Sequence, residues 1–64
     1  MKTEYDPEAN ALYVKFSDDK VDRTEELRPG IIIDFDSRGH IVGIEMLDAK
    51  ASLSESALKS LAAA

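Results

Sequence analysis

The chain of 64 residues contains no cysteine and no tryptophan, and its only histidine is His40. Without cysteine there are no disulfides, and thiolate-bound zinc or iron–sulfur sites are excluded. A single histidine also leaves no histidine cluster for zinc. A domain of this size buries only about 60% of the surface that its unfolded chain exposes. Its stability must therefore come from tight packing, from cations bound by carboxylates, or from self-association.

Basic residues are few and scattered, because 8 Lys and Arg stand against 13 Asp and Glu for a net charge of −5. Affinity for nucleic acids and for anionic membranes comes mainly from Lys and Arg that meet phosphates. We therefore expect no nucleic-acid binding by the chain alone and no membrane binding. No apolar run approaches the length of a membrane span, and no signal peptide is visible, so the expected location is cytoplasmic.

Residues 1–16 predict a β-hairpin. Asp6 and Pro7 favour a turn, since proline presets φ and aspartate can bond the turn through its side chain. Asn10 can adopt the left-handed conformation at the end of that turn. The segment 11–16 (ALYVKF) then alternates with a period of two, as a half-buried strand does. Its two tyrosines, Tyr5 and Tyr13, are expected to pack across this hairpin.

Residues 21–27 (VDRTEEL) carry many charges and alternate weakly, which predicts a solvated edge strand, with a helical turn as the alternative. After Pro29 and Gly30, residues 31–35 are rich in β-branched side chains and predict a central strand. Residues 40–47 predict the next strand. Gly43 inside that strand indicates a bulge or the close approach of another group.

The stretch 34–45 (DFDSRGHIVGIE) has the spacing of an EF-hand calcium loop. Three features oppose that interpretation. Arg38 stands where an oxygen ligand is needed, the preceding segment is a strand, and no second loop exists. A β-hairpin explains the same residues, with Asp36 starting the turn and Gly39 supplying the positive φ that ends it.

The register of this hairpin stays open at the level of sequence. A three-residue loop pairs Asp36 with His40 and Phe35 with Ile41, and the turn residues favour it. A four-residue loop pairs Phe35 with Val42 instead and collects six apolar side chains on one face. Since a slip of one residue moves every side chain to the other face, the choice decides which residues are buried.

The last third of the chain changes to helical periodicity. Ser52 and Glu55 fit a capping box, and leucines and alanines recur at helical spacing after them. The predicted fold is one α+β domain over residues 1–64: an antiparallel β-meander of four to five strands with one C-terminal helix packed on one face. The predicted core comprises Leu12, Val14, Phe16, Ile31, Ile33, Phe35, Val42, Ile44, Met46, Leu58 and Leu61.

Apolar residues occur on both faces of the predicted sheet, because Ile32, Ile41 and Leu47 cannot all share the face of Ile31, Ile33 and Ile44. One short helix covers only one face. Ile32, Ile41 and Leu47 are therefore candidates for an interface. The leading hypothesis is a non-enzymatic interaction module that forms a homodimer or binds a small, basic protein partner.

A weaker alternative is a metal or small-ligand site formed by the carboxylates of Asp34, Asp36, Glu45 and Asp48. A third hypothesis uses His40 and Glu45 for acid–base chemistry. Turn aspartates, a solvent-facing glutamate and a loop histidine account for the same residues more simply. We predict no catalytic residues and no cofactor.

Two blocks carry a family resemblance: YDPEANALYVKF at residues 5–16 and PGIIIDFDSRGHIVGIEMLDA at residues 29–49. They closely resemble the YuzE-like domains, small bacterial proteins of unknown function, over nearly the whole chain to Ala49. The resemblance implies a compact antiparallel sheet with a C-terminal helix, and no established activity or catalytic residues. Some relatives sit beside small toxin-like proteins, which implies an antitoxin-like role.

Overall fold

The computed structural model describes residues 1–63, with side chains as far as Leu61. Five strands form one antiparallel sheet: β1 (Lys2–Asp6), β2 (Ala11–Lys15), β3 (Arg23–Arg28), β4 (Ile31–Phe35) and β5 (Ile41–Leu47). Two short helices follow, α1 (Ala49–Ser52) and α2 (Glu55–Ala63). The predicted α+β class with an antiparallel sheet is confirmed, and α2 corresponds to the predicted C-terminal helix, whereas the short helix α1 before it was not predicted.

The strand order in the sheet is β1-β2-β5-β4-β3. Strands β3, β4 and β5 form a meander, but β5 also pairs with β2, which departs from a simple sequential order. The charged strand β3 consequently lies at an edge, where all six of its residues are exposed. The apolar strand β5 lies at the centre, where β2 and β4 provide hydrogen-bond partners for its backbone amides and carbonyls. The prediction of an edge strand rather than a helical turn at 21–27 is confirmed.

The pairing gives the sheet two chemically different faces. Leu12 lies opposite Met46, and Ile44 lies between Val14 and Ile33. We call the side that holds these residues the apolar face; its aliphatic and phenylalanine residues are Leu12, Val14, Phe16, Ile31, Ile33, Phe35, Val42, Ile44 and Met46. The other side is the polar face; it consists of Lys2, Glu4, Asp6, Ala11, Tyr13, Lys15, Thr24, Glu26, Ile32, Asp34, Gly43, Glu45 and Leu47.

The buried core is small. Among the apolar side chains of the described residues, only Leu12, Ile33, Val42 and Ala49 are buried. The prediction that Phe16 belongs to the core is wrong, because this side chain at the end of β2 is 44% exposed. The other predicted core residues are half-buried. Ala49 was not predicted, since its burial comes from the position of α1 and not from a periodic pattern.

Both open registers of the β4–β5 hairpin occur, in different parts of it. At the turn, the amide of Asp36 donates to the carbonyl of His40, and Phe35 lies opposite Ile41. Deeper in the sheet, Ile33 lies opposite Ile44, which is the pairing of the longer loop. An irregularity between Asp34 and Phe35 absorbs the extra residue. A β-bulge of this kind lets the turn and the apolar face each take its preferred pairing.

The helices begin where short polar side chains bind backbone amides. The hydroxyl of Ser54 accepts from the amide of Ala57 at 3.2 Å, so Ser54 caps α2. The predicted capping box at Ser52 is therefore wrong, because Ser52 is the last residue of α1. Leu58 and Leu61 of α2 line a groove with Tyr5. Tyr5 lies opposite Leu12, which places this helix over the apolar face as predicted.

Candidate functional site

The polar face is the side of the sheet that lies opposite the helices. One row of side chains crosses all five strands, because Glu4 pairs with Tyr13, Tyr13 with Glu45, Glu45 with Ile32, and Ile32 with Glu26. Glu45, on the central strand β5, is the middle member of this row and lies between Tyr13 and Ile32. These three residues are half-buried, whereas Glu4 and Glu26 at the two ends are exposed.

Tyr13 makes the most specific contact of the polar face. Its hydroxyl donates to Oδ2 of Asp34 on β4 at 2.8 Å, although β5 lies between the two strands. Gly43 of β5 makes this possible: a Cβ at that position would lie 2.5 Å from the Tyr13 hydroxyl oxygen. The other carboxylate oxygen of Asp34 accepts from the Thr24 hydroxyl at 2.7 Å. Three strands are therefore tied together through one carboxylate.

The carboxylate of Asp34 also changes the acidity of the phenol. Its hydrogen bond, together with burial and the negative charges of Asp34, Glu45 and Glu4, raises the pKa of Tyr13 to about 12. A phenol with a raised pKa keeps its proton at neutral pH and acts as a donor. Tyr13 is consequently a structural hydrogen-bond donor and is not suited to the role of a general base.

A shallow groove of about 440 Å³ opens beside Tyr13 at the β1–β2 side of the face. Its lining includes Glu4, Ala11 and Glu45 besides the tyrosine ring. The groove thus combines carboxylates with an aromatic and an aliphatic surface. Such a mixture suits the stem and the charged head of a lysine or arginine side chain, which bury apolar methylenes and present a cation.

Charge is distributed unequally between the two faces. The strands place five acidic side chains on the polar face (Glu4, Asp6, Glu26, Asp34 and Glu45) against two lysines (Lys2 and Lys15). Lys2 is already paired with Glu4 at 2.9 Å, and this contact raises the pKa of Lys2. Asp34 accepts from Tyr13 and Thr24 through its two oxygens. The face is therefore net negative, and the carboxylates of Asp6, Glu26 and Glu45 are the ones left for a cationic partner.

The four carboxylates of the weaker metal hypothesis lie in three separate places. Asp34 and Glu45 share the polar face. Asp36 lies in the β4–β5 turn and accepts from the amides of Arg38 and His40, both at 2.9 Å. Asp48 follows β5 and accepts from the side chain of Asn10 at 3.0 Å. Within the part of the chain that the structure describes, no three His, Asp or Glu side chains come together to hold a metal ion.

His40 and Glu45 do not form a pair either. His40 is exposed in the turn, and Glu45 lies well inside β5. From Ile41 to Glu45 the strand advances about 13 Å, since each residue of a strand adds about 3.3 Å. An acid–base pair needs hydrogen-bond distance between its members or to a shared substrate.

The three predicted interface residues are accessible to different degrees. Ile32 is half-buried beside Glu45, and Leu47 is 39% exposed, both on the polar face. Ile41 is 48% exposed and lies opposite Phe35 beside the bulge. Apolar residues are therefore present on the face away from the helices, as the sequence predicted, and their role as an interface stays a prediction.

Sequence reasoning missed the contacts between Tyr13, Asp34 and Thr24. The expected packing of Tyr5 and Tyr13 across the first hairpin is wrong, because Tyr5 bonds Asn10 at 2.9 Å on the other side of the sheet. The glycine within β5 was the available signal, since it indicated the close approach of another group. Which group it was depended on β2 lying next to β5, and this pairing is not visible in the sequence.

A family model described as a protein of unknown function, DUF2283, matches residues 2–50. The chain belongs to this family. The DUF2283 region contains all five strands and the start of α1, so the polar face lies wholly within it, whereas α2 follows it. No curated protein and no solved structure gives a significant match to the chain. Among the described residues, no helix is long and apolar enough to cross a membrane.

Proposed function

We propose that this DUF2283 chain is a non-enzymatic protein-interaction module whose polar face binds a small basic protein. The observation that supports the proposal is the composition of that face. It presents five carboxylates against two lysines around Tyr13, Ile32 and Leu47, on the side away from the helices. Apolar and aromatic side chains thus lie among carboxylates on one surface, which suits a partner that presents both apolar and basic side chains.

The chemistry of the face favours binding over catalysis. Tyr13 retains its proton through the Asp34 hydrogen bond, and His40 lies away from Glu45 in an exposed turn. A catalytic site needs an activated group in a pocket that limits water. The polar face instead offers a broad, open surface on a rigid sheet, which is the geometry that a macromolecular partner uses.

Complementary charge accounts for the class of partner. A net negative face attracts a lysine- or arginine-rich surface and accelerates its approach, and salt weakens this attraction by screening. The carboxylates of Glu4 and Glu45 flank the groove beside Tyr13. Glu45 is placed to receive a cationic side chain, and Glu4 can do the same by exchanging its exposed ion pair with Lys2. Tyr13 and Ala11 would then contact the methylene stems.

The two blocks at residues 5–16 and 29–49 support a closer family, the YuzE-like domains, and with it a specific form of the proposal. In that form the partner is a small toxin-like protein that the chain neutralises. Masking of a basic functional surface by an acidic face is a sufficient physical mechanism for neutralisation. The antitoxin-like role is one case of the proposed interaction and does not have to hold for the interaction to exist.

The test is affinity capture from the source cells at low and high salt, with mass spectrometry, using matched charge variants. The double substitution Glu4→Lys/Glu45→Lys reverses two charges on the polar face. Glu8→Lys/Asp19→Lys changes the net charge equally at exposed loop positions outside the sheet. We expect the wild type and the second variant to capture the same basic protein at low salt and to release it at high salt.

The first variant is expected to lose that protein. An empty capture at low salt, or a capture that the polar-face variant retains, would contradict the proposal. Circular dichroism of both variants checks that each keeps the sheet, so that a lost partner reports on the surface rather than on folding.

A further inference from the structure

We infer that a second copy of this chain packs against the apolar face, so that two sheets meet around a twofold axis. This inference is independent of the proposed basic partner, because it concerns the opposite side of the sheet. Its basis is that the helices leave the middle of the apolar face partly uncovered.

Ile44 shows the incomplete cover most directly. It lies in the central strand of five, between Val14 and Ile33, yet it is only half-buried. Beneath a complete second layer, a residue at the centre of a sheet is the most deeply buried. The nine residues of α2 extend about 13 Å at 1.5 Å per residue. Five strands at about 4.8 Å spacing span about 19 Å, so the helix is too short to cover the sheet.

The accessible surface of the chain is larger than its mass predicts. It measures 4772 Å² for a chain of 7.0 kDa. Compact monomers of that mass expose about 4,000 Å². The chain as a whole therefore exposes roughly 700 Å² more than a compact monomer of its mass, and the partly covered apolar face contributes to this excess.

Charge decides in favour of a second copy rather than a basic partner on this face. On the strands, the charged side chains of this face are Arg23 and Arg28 against Glu25, and Lys50 lines the groove between Tyr5 and α2. Although the chain carries a net charge of −5, these residues carry no excess of negative charge. Two copies can therefore approach through this face without opposing their acidic groups. Contact through the polar faces would instead bring carboxylates of both copies together.

Aromatic residues suited to such an interface lie at its rim. Phe16 is 44% exposed next to the buried Val42, and its amide extends the β2–β5 ladder by donating to the Val42 carbonyl. The guanidinium of Arg23 lies 4.5 Å from the centre of the Phe35 ring. Aromatic and arginine side chains are enriched in protein interfaces relative to the rest of the surface.

The first experiment is sedimentation equilibrium of the full chain from 1 μM to 1 mM, with two matched variants. Phe16→Glu places a charge on the apolar face, and Leu47→Glu places one at a similarly exposed position on the polar face. We expect the wild type to approach twice 7.0 kDa. Phe16→Glu is expected to raise the dimer Kd at least tenfold, and Leu47→Glu to leave it within about twofold.

A monomer throughout the concentration range overturns the inference. So does a dimer that Leu47→Glu dissociates and Phe16→Glu does not, which assigns the contact to the polar face. The dimer is expected to persist in 1 M NaCl, because it rests on apolar contact, whereas a basic partner is released. Failure of one proposal is thus distinguishable from failure of the other.

The second experiment measures geometry and does not depend on Phe16. Since the chain has no cysteine, Thr3→Cys and Glu4→Cys each provide one site for a spin label. Neighbouring residues of a strand project to opposite faces, and Thr3 lies opposite Val14 on the apolar side. We expect a shorter label-to-label distance for Thr3→Cys than for Glu4→Cys in the dimer. The reverse order excludes the proposed arrangement.

Discussion

Gly43 gives the Tyr13 side chain a path across the middle strand of the sheet. The glycine is buried, and its missing side chain leaves room for the ring between β2 and β4. The phenol can then reach Asp34, and Asp34 in turn holds Thr24. At the scale of single residues, the contacts of the polar face therefore depend on the missing side chain of Gly43 as much as on the side chains of Tyr13, Asp34 and Thr24.

We predict that Gly43→Ala destabilises the protein by about 1–3 kcal/mol, the usual cost of overpacking. The new Cβ would lie 2.5 Å from the Tyr13 hydroxyl oxygen and 3.0 Å from the backbone oxygen of Val14. Chemical denaturation measures the loss. In a Tyr13→Ala background the ring clash is gone, so the same substitution should cost less. Equal costs in the two backgrounds would show that the ring is not the obstacle.

The raised pKa of Tyr13 makes a prediction for alkaline solution. Because the folded value, about 12, exceeds the ordinary value of 10.0, folding favours the neutral phenol. This contribution is complete below pH 10 and is lost as the pH rises from 10 to 12. Asp34→Asn removes the main cause and should lower the pKa of Tyr13. Absorbance titration of the phenolate in a Tyr5→Phe background measures the pKa of Tyr13. A titration midpoint that Asp34→Asn leaves unchanged would show that the Asp34 carboxylate does not raise this pKa.

The element that best illustrates competing demands is the β4–β5 hairpin. Its turn prefers the three-residue loop, because Asp36 accepts the amides of Arg38 and His40 and Gly39 has a φ of 83°. The apolar face prefers Ile33 opposite Ile44. One irregularity in the ladder meets both demands. The turn residues and the apolar residues of the sequence each indicate one register. The fold uses both registers, because the irregularity between Asp34 and Phe35 joins them.

Helix α2 provides a direct test of the corrected cap. Ser54→Ala removes the side-chain acceptor for the Ala57 amide and should cost about 1 kcal/mol, within the usual range for cap residues. Ser52→Ala is the matched control two residues earlier, and it should change stability by less than about 0.5 kcal/mol. Urea unfolding followed by far-UV circular dichroism measures both. A larger loss of stability for Ser52→Ala than for Ser54→Ala would support Ser52 as the cap residue instead.

Asn10 joins the first hairpin to the helical segment. It has a positive φ of 52°; its side chain accepts from Tyr5 and Lys50 and donates to Asp48. Asn10→Gly removes these bonds but accepts the backbone conformation, and should cost about 1 kcal/mol. Asn10→Ala adds backbone strain of about 1–2 kcal/mol. We expect the Tm to fall in the order wild type, Asn10→Gly, Asn10→Ala. Equal losses of Tm in the two variants would argue against a contribution from the positive φ of residue 10.

At the scale of the whole molecule, the small core connects stability to assembly. Four buried apolar residues and a half-buried centre leave the single chain with little apolar burial. Self-association would supply the missing contacts and stabilise the fold by mass action. The polar face would stay available on the outside of such a dimer, so both proposed interactions can occur together.

Concentration dependence of the Tm follows from that arrangement. Raising the chain concentration from 5 to 500 μM should raise the Tm by about 5 °C or more, because dimerisation draws the equilibrium toward the folded state. Phe16→Glu should abolish this dependence, and Leu47→Glu should retain it. Differential scanning calorimetry measures all three proteins. A wild-type Tm independent of concentration would contradict stabilisation by dimerisation.

Local chemistry in the sequence determined most of the elements. The turn at Asp6 is confirmed, since Asp6 accepts from the amides of Glu8 and Ala9, and Asn10 has the predicted left-handed conformation. The strands follow from alternation and β-branched residues, and the edge position of β3 follows from its charges. These features depend on interactions within a few residues, so a short segment contains the information for them.

Tertiary structure alone decided what depends on which strands become neighbours. Insertion of β5 between β2 and β4 places Gly43 beneath Tyr13 and brings Tyr13 to Asp34, 21 positions away. The burial of Ala49 and the limited reach of α2 over Ile44 arise in the same way. Pairing between distant segments balances backbone hydrogen bonds, apolar burial and loop closure over the whole chain. That balance has no local signature, and it defines the two faces on which both proposed interactions rest.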